Sequence, residues 1–468
     1  MYPVWEGVVV HSAMFIAIIA SFHVLVSHFT VAASWFNLLV ERRAYHDKNP
    51  GLLEYIKKSA YGLLVFSYVF GALAGVGIWF STTAGSPRGI STLIHNFVLY
   101  WGAEWYFFLI DVVGITAYYY TLGRIDKKNH LRLAWILAFG GTGTLAVIVG
   151  ILGFVLTPGH WLVSGQSLDG FYNPSFFPQI VMRFAVMFGV TSIWSIYVAS
   201  RMPANSPNRE DIVRIASVVG LSGFLIAFLV WRLWYLAILP DHARTVLASA
   251  AIPSITVPLI ETTLGITVLF LIAAFANPRV VRTDLSIVVF IALFLGIFGA
   301  ERVREVMRKP DMVAGYLSSN QLIFTGLRAR EIPSETEPLN RSGVIGNLPY
   351  LMPSTQSDPH ARELEEGHLL TVQECASCHS VSTQTEFRIG DRTIALRSLA
   401  ALLAARGRHT PDEIAAYIAG IGSFPYMHAV VGNDHDRHAI ATYLASFEAA
   451  TVGKSPLAQL SASGGTTR

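Results

Sequence analysis

The stretch VVVHSAMFIAIIASFHVLVSHFTVAASWFNLLV, residues 8–40, decides the architecture. A helix needs about 20 apolar residues to cross ~30 Å of hydrocarbon, and this run exceeds that before Arg42 and Arg43 end it. A soluble helix would show an apolar stripe and a polar face, whereas this one is apolar nearly all round. Working outward, seven further stretches of the same kind occupy residues 59–81, 93–121, 133–157, 178–200, 213–239, 252–276 and 284–306. The composition agrees, with 53% hydrophobic residues, 14% charged residues and a mean hydropathy of +0.47, which excludes an ordinary soluble enzyme. The expected fold is all-α, an eight-helix transmembrane bundle set in a lipid bilayer. The net charge of +3 singles out no partner class, and no nucleic-acid partner is expected.

Loop charge sets the expected orientation, because translocation disfavours Lys and Arg. The odd-numbered connections carry Arg42, Arg43, Lys48, Lys57, Lys58, Arg124, Lys127, Lys128, Arg132, Arg201, Arg209, Arg214, Arg279 and Arg282. The even-numbered ones carry only Arg88 and Arg244. The odd loops are therefore expected in the cytoplasm, with both termini on the outer, periplasmic side of a bacterial inner membrane. Residues 1–7 have no basic n-region, so the first helix reads as an uncleaved anchor.

The last quarter supplies an independent argument. Cys375-Ala-Ser-Cys378-His379 holds the chain's only two cysteines. Two thiols at this spacing can add to the vinyl groups of a haem while the following imidazole takes the iron, the c-type attachment signature. The competing readings are a CxxC disulfide or half a zinc site, but no second Cys/His pair stands at zinc-finger spacing. One covalent haem c is expected. Such haems are attached outside the cytoplasm, in agreement with the charge bias.

Polar residues inside the spans are costly and mark cofactors, cavities or partners. The first helix carries His11, His23 and His28, the third Glu104 and Asp111, and the eighth ends in Glu301, Arg302, Arg304, Glu305 and Arg308. A buried imidazole is ordinarily a hydrogen-bonded core residue; beside a haem, the mid-helix His23 is a candidate iron ligand. Glu104 and Asp111, seven residues apart, share one helix face. They are candidate proton carriers, the alternative being a pair neutralised by arginine.

Phe22-His23-Val24-Leu25-Val26 resembles the segment of cytochrome bd oxidase subunit I whose histidine ligates a high-spin haem. Glu305-Val-Met-Arg308-Lys-Pro310 resembles that subunit's Glu-x-x-Arg-x-Pro segment, whose glutamate ligates the other high-spin haem. Gly71-Ala-Leu-Ala-Gly75 and Phe107-Phe108-Leu109 fall at its glycine-rich second helix and its carboxylate-bearing third. The resemblance covers about residues 10–325 and implies one or two haem b or haem d groups held by His23 and Glu305. It also implies a second membrane subunit, since the resembled oxidases are heterodimers. Arg308 is then a candidate partner for haem propionates, which a guanidinium can pair bidentately. Glu301 joins Glu104, Asp111 and Arg308 as a candidate catalytic residue.

The departures are specific. Aligning Arg183-Phe184 and Gly265 puts Val186 and Glu261 where the family holds its low-spin haem, so that haem is expected to be absent or ligated differently, with Arg183 and Glu261 as an ion pair in its place. The quinol-binding loop shrinks to the connection around Leu239–Pro253, and the ninth helix is missing. An appended haem c is then a replacement port for electrons from a periplasmic donor or another cytochrome. This reading is a respiratory haem oxidoreductase that passes electrons through haem c to membrane haems and reduces oxygen. The alternative is an electron-transfer subunit without an oxygen-reducing site.

After the bundle (1–310), residues 311–361 are rich in Ser, Pro and Asn and read as an irregular linker that covers part of the outer face. Residues 362–450 show a helix entering CASCH, an irregular stretch, a helix near Ala400, a helix over Pro411–Ile421 and a last helix from about Asp434 to Phe447. That order resembles a class I cytochrome c. Its sixth iron ligand should lie between the last two helices, where Met427 stands in Phe424-Pro425-Tyr426-Met427; His428 is the alternative ligand, and packing on the porphyrin edge is an alternative role for Met427. Residues 451–468 read as a disordered tail.

Overall fold

Eight helices long and apolar enough to cross a membrane run through the computed structural model, which describes residues 4–6, 11–249, 251–381, 386–389, 392–395 and 398–452. They are α1 (Ser12–His46), α2 (Gly51–Gly85), α3 (Pro87–Thr121), α4 (Lys127–Leu156), α5 (Phe176–Ser200), α6 (Pro207–Ile238), α7 (Thr256–Ala276) and α8 (Thr283–Met307). Every expected span is present. Several helices run past the lipid-length runs into polar sequence. Thus α2 begins at Gly51, where Glu54 and Lys58 pair at 3.0 Å one turn apart.

The apolar circumference of α1 has a direct structural counterpart, since this helix packs against α2, α4, α5 and α8. Leu25, Phe29, Ala33 and Phe36 on α1 share one buried core with Tyr55, Leu63, Ile193, Ile196 and Leu271. Glycine sets the closest approach. A Cβ on Gly223 of α6 would lie 2.5 Å from the carbonyl oxygen of Ala185 on α5, a backbone contact that no larger residue permits. Outward-facing Leu73, Phe80, Leu99, Leu229, Leu269 and Val288 are exposed. Water would penalise each by about 1.5–3 kcal/mol, whereas hydrocarbon does not. Two helices are irregular: α2 passes through a π segment at Phe66–Gly71, and α3 leaves helical geometry at Phe97.

Residues 311–361 are more ordered than their composition suggests. A short hairpin of β1 (Asp311–Val313) and β2 (Leu317–Ser318) leads to α9 (Thr336–Ser342). Arg88, at the start of α3, grips Glu335 with two N–H···O bonds, the longer 2.6 Å, and Arg330 donates to Asn96 Oδ1 at 2.6 Å and Gly165 O at 2.7 Å. Polar composition here reflects a lid pinned by hydrogen bonds.

The C-terminal unit comprises α10 (Pro359–Cys375), hairpin strands β3 (Glu386–Ile389) and β4 (Arg392–Ala395), α11 (Leu399–Ala404), α12 (Pro411–Ala419) and α13 (Asp434–Val452). Thr410 and Glu413 form a reciprocal capping box that starts α12. α10 and α13 cross so tightly at Gly367 that a Cβ there would stand 2.1 Å from Ala439 O. Around the crossing, Leu370, Leu403, Ile414, Ile440, Leu444 and Phe447 share a core with Val344, Leu348 and Leu351 of the lid. Of the expected disordered tail, residues 453–468 lie outside the described residues.

Candidate functional site

The C-terminal end of α8 gathers the charges. Residues 301, 304, 305 and 308 recur at helical spacing and so share one face. Arg304 Nε donates to Glu301 Oε2 at 2.6 Å, and Arg183 Nη1 reaches Glu301 Oε1 at 3.7 Å from α5. Glu305 pairs with Arg308 and, at 3.6 Å, with Lys309. The expected Arg183–Glu261 pair is therefore not formed: α5 packs on α8, which offers Glu301, while Glu261 of α7 is exposed. Val186, at the other vacated position, packs against the apolar core. Arg308, expected to meet haem propionates, is engaged by Glu305.

His23 sits at mid-α1 against the glycines of α2. Its Nδ1 is buried without a hydrogen-bond partner, and a Cβ on Gly75 would come within 3.5 Å of the ring. A backbone hydrogen bond to Gly71 also engages the ring, so His23 is a partly satisfied imidazole set against glycines. His28, one and a half turns further on, is buried and within electrostatic reach of Arg183 and Glu301. His11 caps the amino end of α1 by accepting from Met14 N at 3.2 Å.

On α3, Asp111 Oδ2 accepts from Thr144 of α4 at 3.3 Å, while its Oδ1 is buried with no partner. Glu104, two turns away, is half-buried between exposed Ala103 and Trp105. Among the described residues neither forms an ion pair with an arginine, which leaves the neutralised-pair alternative without a partner.

The Cys375–His379 turn closes the end of α10. Cys378 N and His379 N both donate to Cys375 O, at 3.0 and 2.9 Å. Both cysteines are half-buried and not joined in a disulfide, and burial pushes the Cys375 thiol far above its ordinary pKa. The turn is docked on the membrane bundle: Ala13 N donates to Ser377 O at 3.1 Å and Ser12 Oγ to Ala376 O at 3.3 Å. In the loop that follows α12, Tyr426 packs against a cluster of Val246, Ala251 and Val306, the last of which stands beside Glu305 on α8. Half-buried Met427 is thus held in a loop resting on the end of α8.

His428 is differently placed. Its Nε2 lies 2.9 Å from Glu374 O and its Nδ1 3.0 Å from Ala429 O, so both ring nitrogens face carbonyls. Burial pushes its pKa below the ordinary value, and a neutral ring donates to only one of the two. Glu374 was not legible as a site residue. It is fully buried, its Oε2 accepts from Asn320 Nδ2 at 3.0 Å and Val431 N at 3.3 Å, and burial pushes its pKa up to about 8. Its position directly before Cys375 was the only available signal. The described residues contain no group of three or more His, Cys, Asp or Glu side chains arranged as a metal site.

No protein-family model matches the chain, and no curated protein matches it. Among solved structures, the bd oxidase from Geobacillus thermodenitrificans matches with a TM-score of 0.56, over 70% of this chain and 91% of that one, at 13% identity. The two chains share a fold.

Proposed function

We propose that the chain is a membrane-bound haem oxidoreductase of a respiratory chain that takes electrons at a covalent haem c and delivers them to haems in the bundle, where oxygen is reduced. One observation carries the reading: the two halves of the candidate haem c site rest on the two helices that bear the candidate membrane ligands. The Cys375–His379 turn is hydrogen-bonded to the start of α1, the His23 helix, and the Met427 loop packs, through Tyr426, on a cluster that includes Val306 of α8, the Glu305 helix.

Cys375 and Cys378 would form the thioethers, with His379 and Met427 as axial ligands; the carbonyl contacts of His428 leave Met427 the better candidate. His23 and Glu305 would ligate one or two b- or d-type haems. Haem iron supplies one-electron transfer and, where a coordination position is open, oxygen binding. Glu104 and Asp111 hold protons for the reaction, which consumes four per oxygen. The bacterial inner membrane, with both termini outside, follows from loop charge. A second membrane subunit is supported by α2 and α3, whose apolar windows are only 12% and 11% buried within this chain. A periplasmic donor or another cytochrome would dock beside the C-terminal unit.

One observation favours the alternative of electron transfer without oxygen chemistry. The Glu305 carboxylate is already engaged by Arg308 and Lys309, which competes with ligation of an iron. Reduced-minus-oxidised spectra of the purified protein, with and without carbon monoxide, separate the two readings. A carbon-monoxide-sensitive component beside one haem c supports the oxidase, and its loss in His23→Ala assigns the ligand. A spectrum blind to carbon monoxide refutes the oxidase and leaves an electron-transfer subunit.

A further inference from the structure

Far from the outer surface, at the other end of the bundle, three buried groups meet. Glu41 of α1 places Oε1 2.5 Å from His130 Nδ1 of α4, and Tyr118 Oη of α3 donates to Glu41 Oε2 at 2.8 Å. His130 Nε2 in turn lies 2.9 Å from Tyr118 O. None of the three side chains is more than 1% exposed.

Their hydrogen-bond inventory is unusual. His130 is held between two oxygens that accept, a carboxylate and a carbonyl. Either both ring nitrogens carry protons and Glu41 is a carboxylate, or the ring is neutral and the shared proton lies on Glu41. One proton can therefore move between His130 and Glu41 without any change of geometry. A buried ion pair is seldom a net source of stability, so three sequestered groups need another reason.

The placement of Tyr118 gives that reason. Glu104, Asp111 and Tyr118 follow one another at seven-residue intervals on α3, and each step is two turns, ~10.5 Å, down one face. Asp111 points its unpartnered Oδ1 at Gly140 and Gly141 of α4, where a Cβ would come within 2.9 and 3.5 Å. These glycines let α3 and α4 approach closely beside Asp111, with Ile110 and Val31 packed against them, and each ~10.5 Å step along α3 is the length that ~3 hydrogen-bonded waters span. At the far end, half-buried Tyr45 interacts with Glu41, and Lys127 lies over the Tyr45 ring at 5.3 Å. Besides Glu41, Tyr45 and Tyr55 are the ionisable side chains in electrostatic contact with Tyr118.

We propose that Glu41, His130 and Tyr118 form the cytoplasmic proton-loading station of a line that runs through Asp111 to Glu104. This rests on the oxidase reading. Reduction of one oxygen molecule to two waters takes four electrons, from an external one-electron donor, and four protons. Each proton arrives at the Tyr45 side, is held on the Glu41–His130 pair, and leaves toward Asp111, so the station returns to its starting charge.

The test uses the full-length, fully reduced protein mixed with oxygen, with proton uptake followed by a pH-indicator dye. Glu41→Gln should slow uptake by ~10-fold or more and raise the solvent deuterium isotope effect. Formate, a small weak acid, should restore part of the rate, which a merely structural role would not allow. Tyr118→Phe deletes a single oxygen and keeps the packing, so it stands in if Glu41→Gln fails to fold; it should slow uptake as well. The carbon-monoxide spectrum should be unchanged in both. Wild-type uptake rates in the folded variants, or slow uptake blind to formate, overturn the loading station alone. A wild type that consumes neither oxygen nor protons overturns the oxidase reading and the station with it.

Discussion

Replacing Gly367 by alanine should loosen the C-terminal unit. The added Cβ would stand 2.1 Å from Ala439 O, 2.7 Å from Ala439 C and 2.9 Å from Tyr443 Cβ. The first two atoms are backbone and cannot rotate away. Restoring an ordinary 3.4 Å contact requires α10 and α13 to part by about 1.3 Å at the crossing. A radial gap of 0.5–1 Å already forfeits a quarter to a half of a contact's attraction. Leu370, Ile440, Leu444 and Phe447 are buried around the crossing, and each gains about 2 kcal/mol from burial. Losing roughly a third of that costs about 3 kcal/mol, and the better helix propensity of alanine returns ~1. The net loss is about 2 kcal/mol, or a roughly 30-fold larger open population. Pulse proteolysis of the full-length protein across a urea series reads that population, with cleavage of the C-terminal unit as the signal. Gly420→Ala is the control, because its Cβ would meet only Tyr417 O at 3.8 Å. If Gly367→Ala resists protease as well as the control, the two helices are not limited by this contact and the reasoning fails.

Other outcomes follow from the same structure. Arg183→Ala removes one of two guanidinium partners of half-buried Glu301 while Arg304 stays at 2.6 Å, so the thermal midpoint should fall by the equivalent of about 1 kcal/mol, and Arg183→Lys should recover part of it. Glu374 has a folded pKa of about 8 against an ordinary 4.5, so the folded state keeps a proton that the unfolded state has lost. Stability of the C-terminal unit should therefore be full below pH ~4.5 and fall progressively up to pH ~8, by on the order of 4 kcal/mol, and Glu374→Gln should flatten the profile measured by denaturant midpoints. Met427→Ala should leave the covalent haem count by pyridine haemochrome unchanged and lower the haem c potential, whereas His428→Ala should move it little; the reverse pattern would make His428 the ligand.

The eight spans were readable because lipid imposes one rule on every outward face, and α1 to α8 obey it. The positions of His23 and of the Cys375–His379 turn followed from local spacing, which the chain carries within a few residues. Pairings between distant elements were not available in the same way. Arg183 found Glu301 because α5 lies on α8, and nothing near Arg183 in the chain distinguishes Glu301 from Glu261. The same limit hid the lid. Ser and Asn at 318–320 look like loop composition, yet these residues are buried, with Asn320 satisfied by Glu374 and Gln373. Glu41 stood at the edge of an apolar run beside Arg42 and Arg43, where a solvated flank is the ordinary reading; only the approach of α3 and α4 made it a buried partner of His130.

The bond from Ala13 N to Ser377 O carries an implication for how the molecule is put together. The first N–H groups of a helix have no partner within it, and one of those on α1 is satisfied by a residue 364 positions later. The amino end of α1 is thus completed only once the C-terminal unit has docked on it. The contact can form only after that unit has folded, and its docking then fixes the beginning of α1. A defect in folding of that unit would be felt at the amino end of α1, hundreds of residues away in the chain.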